Sequence, residues 1–193
     1  MRRVWVVGLS GSGKTTLALR LARLLQVPHI EIDAIHWGLN WTPLDRDLLR
    51  QRIAEATDAD GWTIDGNYSN VTHVIAQRAD TVVWLDLPLL LVLWRLLTRT
   101  IARALSPEPL WGGNRENLTS LFFSRDSLFL WTLTTASAKR TRYIAMQRDP
   151  ALAHLTWYRL RSPAEVSRWL ALQEQALAQP TEDLAQEHPR HRA

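Results

Sequence analysis

Eight residues near the start of the chain constrain its fold more than any other stretch: Gly8-Leu9-Ser10-Gly11-Ser12-Gly13-Lys14-Thr15. Glycines at this spacing let successive backbone N–H groups turn toward one point, and a lysine and a hydroxyl follow at once. Such a loop cradles phosphate oxygens when a strand precedes it and a helix follows it. Both flanks have the required character. Arg2–Val7 is a short apolar, β-branched run that reads as a buried parallel strand. Lys14–Leu25 places Leu17, Leu21, Leu24 and Leu25 at helical spacing. With this chain's own composition the pattern G-x-x-x-x-G-K-[ST] is a chance event in roughly 5 of 10,000 chains of this length. Gly8, Ser10, Gly11, Ser12, Gly13, Lys14, Thr15 and Thr16 are therefore candidates to hold the phosphates of ATP. Lys14 would reach the β- and γ-phosphates, and Thr15 would hold Mg2+ through its hydroxyl.

The rest of the composition narrows the class. A chain of 193 residues, 46% hydrophobic and 22% charged, has the make-up of one globular domain, with room for an insert. Cysteine is absent, which excludes disulfide scaffolds, thiolate zinc sites and cysteine nucleophiles. The apolar run at the start is too short for a signal peptide, so a cytoplasmic location is expected. The longest apolar stretch, Val82–Leu97, is interrupted by Asp86, Pro88 and Arg95, so no membrane span is expected. Net charge is only +4, but its make-up is skewed: Lys14 and Lys139 are the only lysines among 23 basic residues. Arginine grips phosphate and carboxylate with a planar fork, so an anionic ligand is expected.

Further along, apolar strand-like runs alternate with helical ones. Strands are expected at His29–Ile32, Trp62–Asp65, Asp80–Leu87 and Ala153–Arg161. Residues 33–43 read as a loop carrying two tryptophans. Helices are expected at Leu44–Thr57 (capped by Thr42 with Pro43 at its first position), Val71–Arg78, Leu89–Leu105, in a broken form over Leu118–Met146, and after Ser162-Pro163-Ala164-Glu165, a capping-box pattern. This alternation predicts an α/β fold: a five-stranded parallel sheet between two layers of helices, with ligands at the carboxyl ends of the strands. The domain is expected to span 1–172, with a Pro/Gly-rich lid insert near 104–120. Residues 173–193 lose helical period and read as a polar, disordered tail.

Two strand ends carry more specific marks. The third expected strand closes with Thr63-Ile64-Asp65-Gly66-Asn67-Tyr68, and the fourth reads Ala79-Asp80-Thr81-Val82-Val83-Trp84-Leu85-Asp86-Leu87-Pro88. With the phosphate loop, these resemble the adenylate-kinase-like P-loop kinases. The resemblance is closer to the adenylate-kinase-related "topology modulation protein" family, through Ile32-Asp33, Trp37, Trp41 and Trp62–Tyr68. It covers roughly residues 3–172, matches poorly in the lid and over residues 119–150, and implies a three-layer P-loop NTPase fold with a helical, arginine-bearing lid. It also implies a kinase that uses ATP and Mg2+ to phosphorylate a nucleotide or other small acceptor.

Under that resemblance Asp65 would bind a Mg2+-ligating water or the acceptor, and Gly66, Asn67 and Tyr68 would border the acceptor. Asp33, at the next strand end, would orient an acceptor hydroxyl or take its proton. The plainer readings are an ordinary turn after a strand for Asp65-Gly66, which its strand-end position beside the phosphate loop disfavours, and a helix N-cap or solvated loop acid for Asp33. Trp37 can stack on a planar acceptor or anchor its loop; Trp41 reads as packing, and Trp5, Trp84, Trp131 and Trp169 as core. Arg95, Arg99 and Arg103 recur at four-residue intervals on one helix face. Arg99 and Arg103 are the candidates to clamp the transferring phosphoryl group, and Arg115, with Arg140 and Arg142, to close over ATP. Arg161 follows the fifth strand, where similar kinases pack the adenine, and Asp86 reads as structural. Two other readings use the same loop: an ATP-binding regulator of DNA topology or gene expression, and a slow ATPase with no acceptor. The former is weakened by the absence of any helix-turn-helix, zinc or RNA-binding pattern.

Overall fold

Residues 4–8 can be buried on both sides because a helix layer covers each face of the sheet they enter. The computed structural model describes residues 1–105, 110–114 and 128–178. Five strands, β1 (Arg3–Gly8), β2 (His29–Glu31), β3 (Trp62–Asp65), β4 (Thr81–Leu85) and β5 (Thr156–Leu160), form one parallel sheet in the order β2-β3-β1-β4-β5. Register sets Val6 beside both Asp65 and Val83, and Glu31 beside Asp65, so the chemistry-bearing ends of β1, β2 and β3 share one edge.

Alternate side chains divide between two cores, as the pleat of a strand requires. Trp5, Val7, Trp62 and Ile64 pack with Leu49 and Ile53 of α3 (Arg46–Ala56), Ile75 and Ala76 of α4 (Thr72–Arg78), and Tyr143 of α6 (Leu128–Arg148). On the other face Val4, Val6, Val83 and Leu85 pack with Leu17, Ala18 and Leu21 of α1 (Lys14–Leu25), Val92 of α5 (Leu89–Leu105), and Trp169 and Leu170 of α7 (Pro163–Ala178). Trp62 is fully buried and its indole N–H donates to the Thr57 carbonyl at 3.1 Å. Trp62→Ala removes that ring from a close-packed layer and is expected to lower unfolding free energy by about 3–5 kcal/mol, read from the urea midpoint.

Several local expectations shift. The chain turns helical as β2 ends: α2 (Ile32–His36) occupies the start of the expected 33–43 loop, and a 3₁₀ turn follows at Leu39–Trp41. Helix α3 begins at Arg46 rather than Leu44 because Asp45, not Thr42, caps it, accepting from the N–H groups of Asp47 and Leu48. Thr42 instead donates its hydroxyl to Leu39, and Pro43 bridges to Trp37. The capping-box pattern at α7 holds in part: Ser162 Oγ accepts from the Glu165 N–H, while the Glu165 carboxylate reaches Arg161. That helix continues to Ala178, past the loss of apolar period at Gln173. The described part of the expected 118–146 helix starts at Leu128. Trp131 lies 44% exposed rather than in a core, because the apolar residues of α6 are spread around the helix instead of along one stripe. No helix among the described residues is long and apolar enough to cross a membrane.

Candidate nucleotide and acceptor site

The loop after β1 takes the shape its glycines allow. Gly8, Gly11 and Gly13 all have positive φ, and Gly13 starts α1 from the left-handed region. A side chain at Gly8 or Gly11 would sit 2.7 Å from a backbone oxygen, that of Leu85 or Val92, so the loop's closeness to β4 and α5 requires both glycines. Lys14 Nζ donates to the Leu9 carbonyl at 3.0 Å, folding back over the loop. Burial pushes its ammonium below the usual lysine range; Asp65 and Asp33 oppose that fall and Arg99 adds to it. Ser12 is buried and its hydroxyl has no partner among the described residues. An unpaired hydroxyl beside converging backbone N–H groups and the N-terminus of α1 fits a phosphate chain. Ser10 is half-buried on the loop, and Thr16 is exposed on the first turn of α1.

Thr15 and Asp65 meet as the sequence pattern suggests. Thr15 Oγ1 donates to Asp65 Oδ2 at 2.7 Å, and the other carboxylate oxygen lies 2.7 Å from His29 Nε2. Two oxygens side by side at the foot of the loop are the hard donors that Mg2+ takes. Gly66 turns away at positive φ, packed against Ile32 so closely that a methyl group would clash. Asn67 is committed to the phosphate loop itself: its amide donates to the Gly8 carbonyl, and its oxygen accepts from Gly8 N–H at 3.4 Å and from the Tyr143 hydroxyl at 2.8 Å.

The residues expected to border an acceptor lie on and around α2. Tyr68 donates its hydroxyl to Asp33 Oδ1 at 2.5 Å, and burial together with that carboxylate raises the phenol's pKa far above its usual value. His36 lies between Trp37 and Tyr68, with ring centroids 4.6 Å from each; Trp37 is 5.8 Å from Trp41, and Trp41 is 6.5 Å from Trp111. Trp111 donates its indole N–H to Glu31 at 3.0 Å. Residues 110–114, inside the expected lid, are fastened to this aromatic loop. Asn114 accepts from Trp41 N–H and donates to the Gly38 carbonyl, while Gly112 lies on the Gly38 backbone where any side chain would collide.

The arginines separate. Arg99 acts on Lys14, and Arg95 reaches to 4.0 Å from where a Gly13 side chain would begin. Arg103 stacks over Trp111 at 5.5 Å. Arg140 and Arg159 both hold Asp86, at 2.9 and 2.6 Å, and Arg142 donates to Thr72. Arg115 lies outside the described residues. Beside the loop a cavity of about 480 Å³ is lined by Leu9, Pro88, Lys139, Arg140, Tyr143 and Arg161.

His29, Trp111, Asn114, Tyr143 and Lys139 escape sequence reasoning, although Lys139 carries a signal as one of only two lysines. Its Nζ lies 3.6 Å over the Trp131 ring, with no hydrogen-bond partner among the described residues. Burial, then Lys14 and Arg142, bring its pKa down to about 7. A polyphosphate held at Lys14 would favour the charged form of Lys139 as well, so nucleotide binding is expected to take up a proton. The sign follows: Lys139 is already charged below pH 7, whereas above it ATP must supply the energy of protonation. Relative to Lys139→Arg, which keeps its charge, ATP affinity of the native chain is expected to fall by up to about ten-fold per pH unit above 7. Titration calorimetry at pH 6.5, 7.5 and 8.5 measures it, and parallel pH profiles for the two proteins would contradict it.

A parallel five-stranded sheet between helix layers, with the phosphate loop after its central strand, is the P-loop kinase fold. Among solved structures the chain resembles shikimate kinase from Acinetobacter baumannii in complex with shikimate, at 16% identity over 92% of this chain and 93% of that one, TM-score 0.57. It also resembles shikimate kinase from Bacteroides thetaiotaomicron, at 16% identity over 91% and 98%, TM-score 0.53. A gluconokinase from Sinorhizobium meliloti 1021 matches at 19% identity over 92% and 93%, TM-score 0.52. At these identities the likeness establishes the fold. No family model matches the sequence, and neither does any curated protein.

Proposed function

We propose that this protein is a kinase that uses ATP and Mg2+ to phosphorylate a small-molecule acceptor held at the end of β2. The observation that carries this reading is the convergence of Lys14, Thr15 and Asp65 at the phosphate loop, with Asp33, in the first turn of α2, acting on the Lys14 charge. Structural neighbours named as shikimate kinases and a gluconokinase support a small hydroxylic acceptor. Mg2+, when bound, would lie against Thr15 and Asp65 and neutralise charge on the phosphates.

Backbone N–H groups of the loop other than those of Gly8 and Ser12, together with the Lys14 ammonium, bind the phosphate chain. Asp33 accepts the hydrogen bond of the acceptor hydroxyl and takes up its proton as oxygen attacks phosphorus. Tyr68, already donating to the same carboxylate, fixes its orientation. Arg99 and Arg103, on the face of α5 turned to the site, offset charge that develops on the transferred group. The aromatic row and residues 110–114 exclude water, which would otherwise compete as acceptor.

The test is a screen with γ-labelled ATP against sugars, cyclitols, nucleosides and nucleotides. Label is expected to pass to a defined acceptor faster than to water. ATP hydrolysis that no compound accelerates or diverts would leave the protein an ATPase.

A further inference from the structure

The two ends of the site carry opposite charge. The phosphate end has Lys14, with Arg99 near it. The acceptor end has Glu31 and Asp33, two residues apart where β2 passes into α2, and Asp65 is in register with Glu31 on β3. Burial raises the pKa of the Glu31 carboxyl, and the charges of Asp65 and Asp33 raise it further, despite a hydrogen bond from Trp111 that works the other way. Glu31 and Asp33 therefore place two carboxylates together at this end of the pocket.

Against the carboxylates stands the row of rings His36, Trp37, Trp41 and Trp111, with Tyr68 behind His36. His36 Nδ1 is buried there with no hydrogen-bond partner among the described residues, an unsatisfied polar atom beside Asp33. Burial also lowers the pKa of His36, which favours the neutral ring. A neutral imidazole nitrogen and ionised carboxylates are good partners for hydroxyl groups. Indole faces suit the apolar faces of a saturated ring or the plane of a base. An anion suits this end less: a carboxylate or phosphate beside Glu31 and Asp33 meets like charge in a half-buried setting, which Arg103 over Trp111 offsets only in part.

Resting on the reading of Asp33 as the acceptor-binding group, we propose that the acceptor is an uncharged ring compound bearing hydroxyl groups, and that its carboxylated or phosphorylated counterparts are rejected. The chemistry is shared by free sugars, cyclitols and nucleosides, and the experiment distinguishes them.

Phosphoryl transfer from labelled ATP is measured for matched pairs: glucose and glucuronate, myo-inositol and shikimate, adenosine and AMP. Binding of labelled ATP is measured in parallel by equilibrium dialysis. At least one neutral member is expected to exceed its acidic counterpart by about ten-fold or more in kcat/KM, and the pair in which this occurs identifies the source. Glu31→Gln keeps an acceptor for the Trp111 indole but removes a charge, so it is expected to narrow that ratio by about ten-fold. Transfer that favours the acidic members, or a ratio unchanged in Glu31→Gln, overturns the proposal while leaving the protein a kinase. ATP bound with label passed to none of the six overturns the kinase reading and this inference with it.

Discussion

Lys14→Ala is expected to lower kcat for phosphoryl transfer by about 10³-fold, the scale seen when one preorganised charge or donor is removed from a transition state. The ammonium is half-buried, close to Asp33 and Asp65, and bonded only to a loop carbonyl at 3.0 Å. Its burial works against its own charge, so it adds little to stability, and the thermal midpoint is expected to stay within a few degrees of native. That separation of activity from stability is the point of the experiment, read by steady-state kinetics and a thermal melt on one preparation. A variant that turned over ATP at the native rate would remove the glycine-rich loop from the chemistry.

Asp33→Asn should act on the other substrate. Its side-chain oxygen can still accept the Tyr68 hydroxyl, so the local geometry at 2.5 Å has a replacement partner. What is lost is the negative charge and the ability to take a proton, which is worth about 10²–10⁴-fold in rate for a positioned general base. ATP binding should be little affected, because removing the Asp33 charge leaves Lys14 and the loop N–H groups in place. The expected signature is a large fall in kcat with the KM for ATP unchanged, and a smaller loss, about ten-fold, in Tyr68→Phe, where only the orienting bond is gone. Equal losses in both variants, accompanied by a lower melting temperature, would make the pair a structural contact.

What could be foreseen in this chain follows how local each feature is. The loop from Gly8 to Thr15 is written in consecutive residues, as are β1, α1 and the bounds of α5. The place of Asp65 was legible because a parallel sheet presents its strand ends on one edge, whatever the order of the strands; Asp33, expected at the end of the second strand, lies instead in the first turn of α2. Tyr68 bonding Asp33 depends on β3 lying next to β2, and Trp111 reaching Glu31 joins residues 80 apart. No periodicity encodes such contacts. The start of α3 was misplaced for another reason: Thr42 and Asp45 are both able to cap, and the bridge from Trp37 to Pro43 decides between them. Lys139 and Trp131 sit on a helix without an apolar stripe, so the pattern that places side chains elsewhere is silent there.

Asn67 spans the gap between two strands with one amide, touching both backbone groups of Gly8, and it is the residue immediately before Tyr68. The floor of the phosphate loop and the arm that aims Asp33 are therefore linked by very little slack chain. Under the proposed reading, a displacement of Gly8 as phosphate seats would pass through Asn67 to the phenol that bonds Asp33. Nucleotide occupancy would then be felt at the proposed acceptor end before any acceptor arrives. Such a link would favour an order of events, with the donor loaded first and the base aligned second.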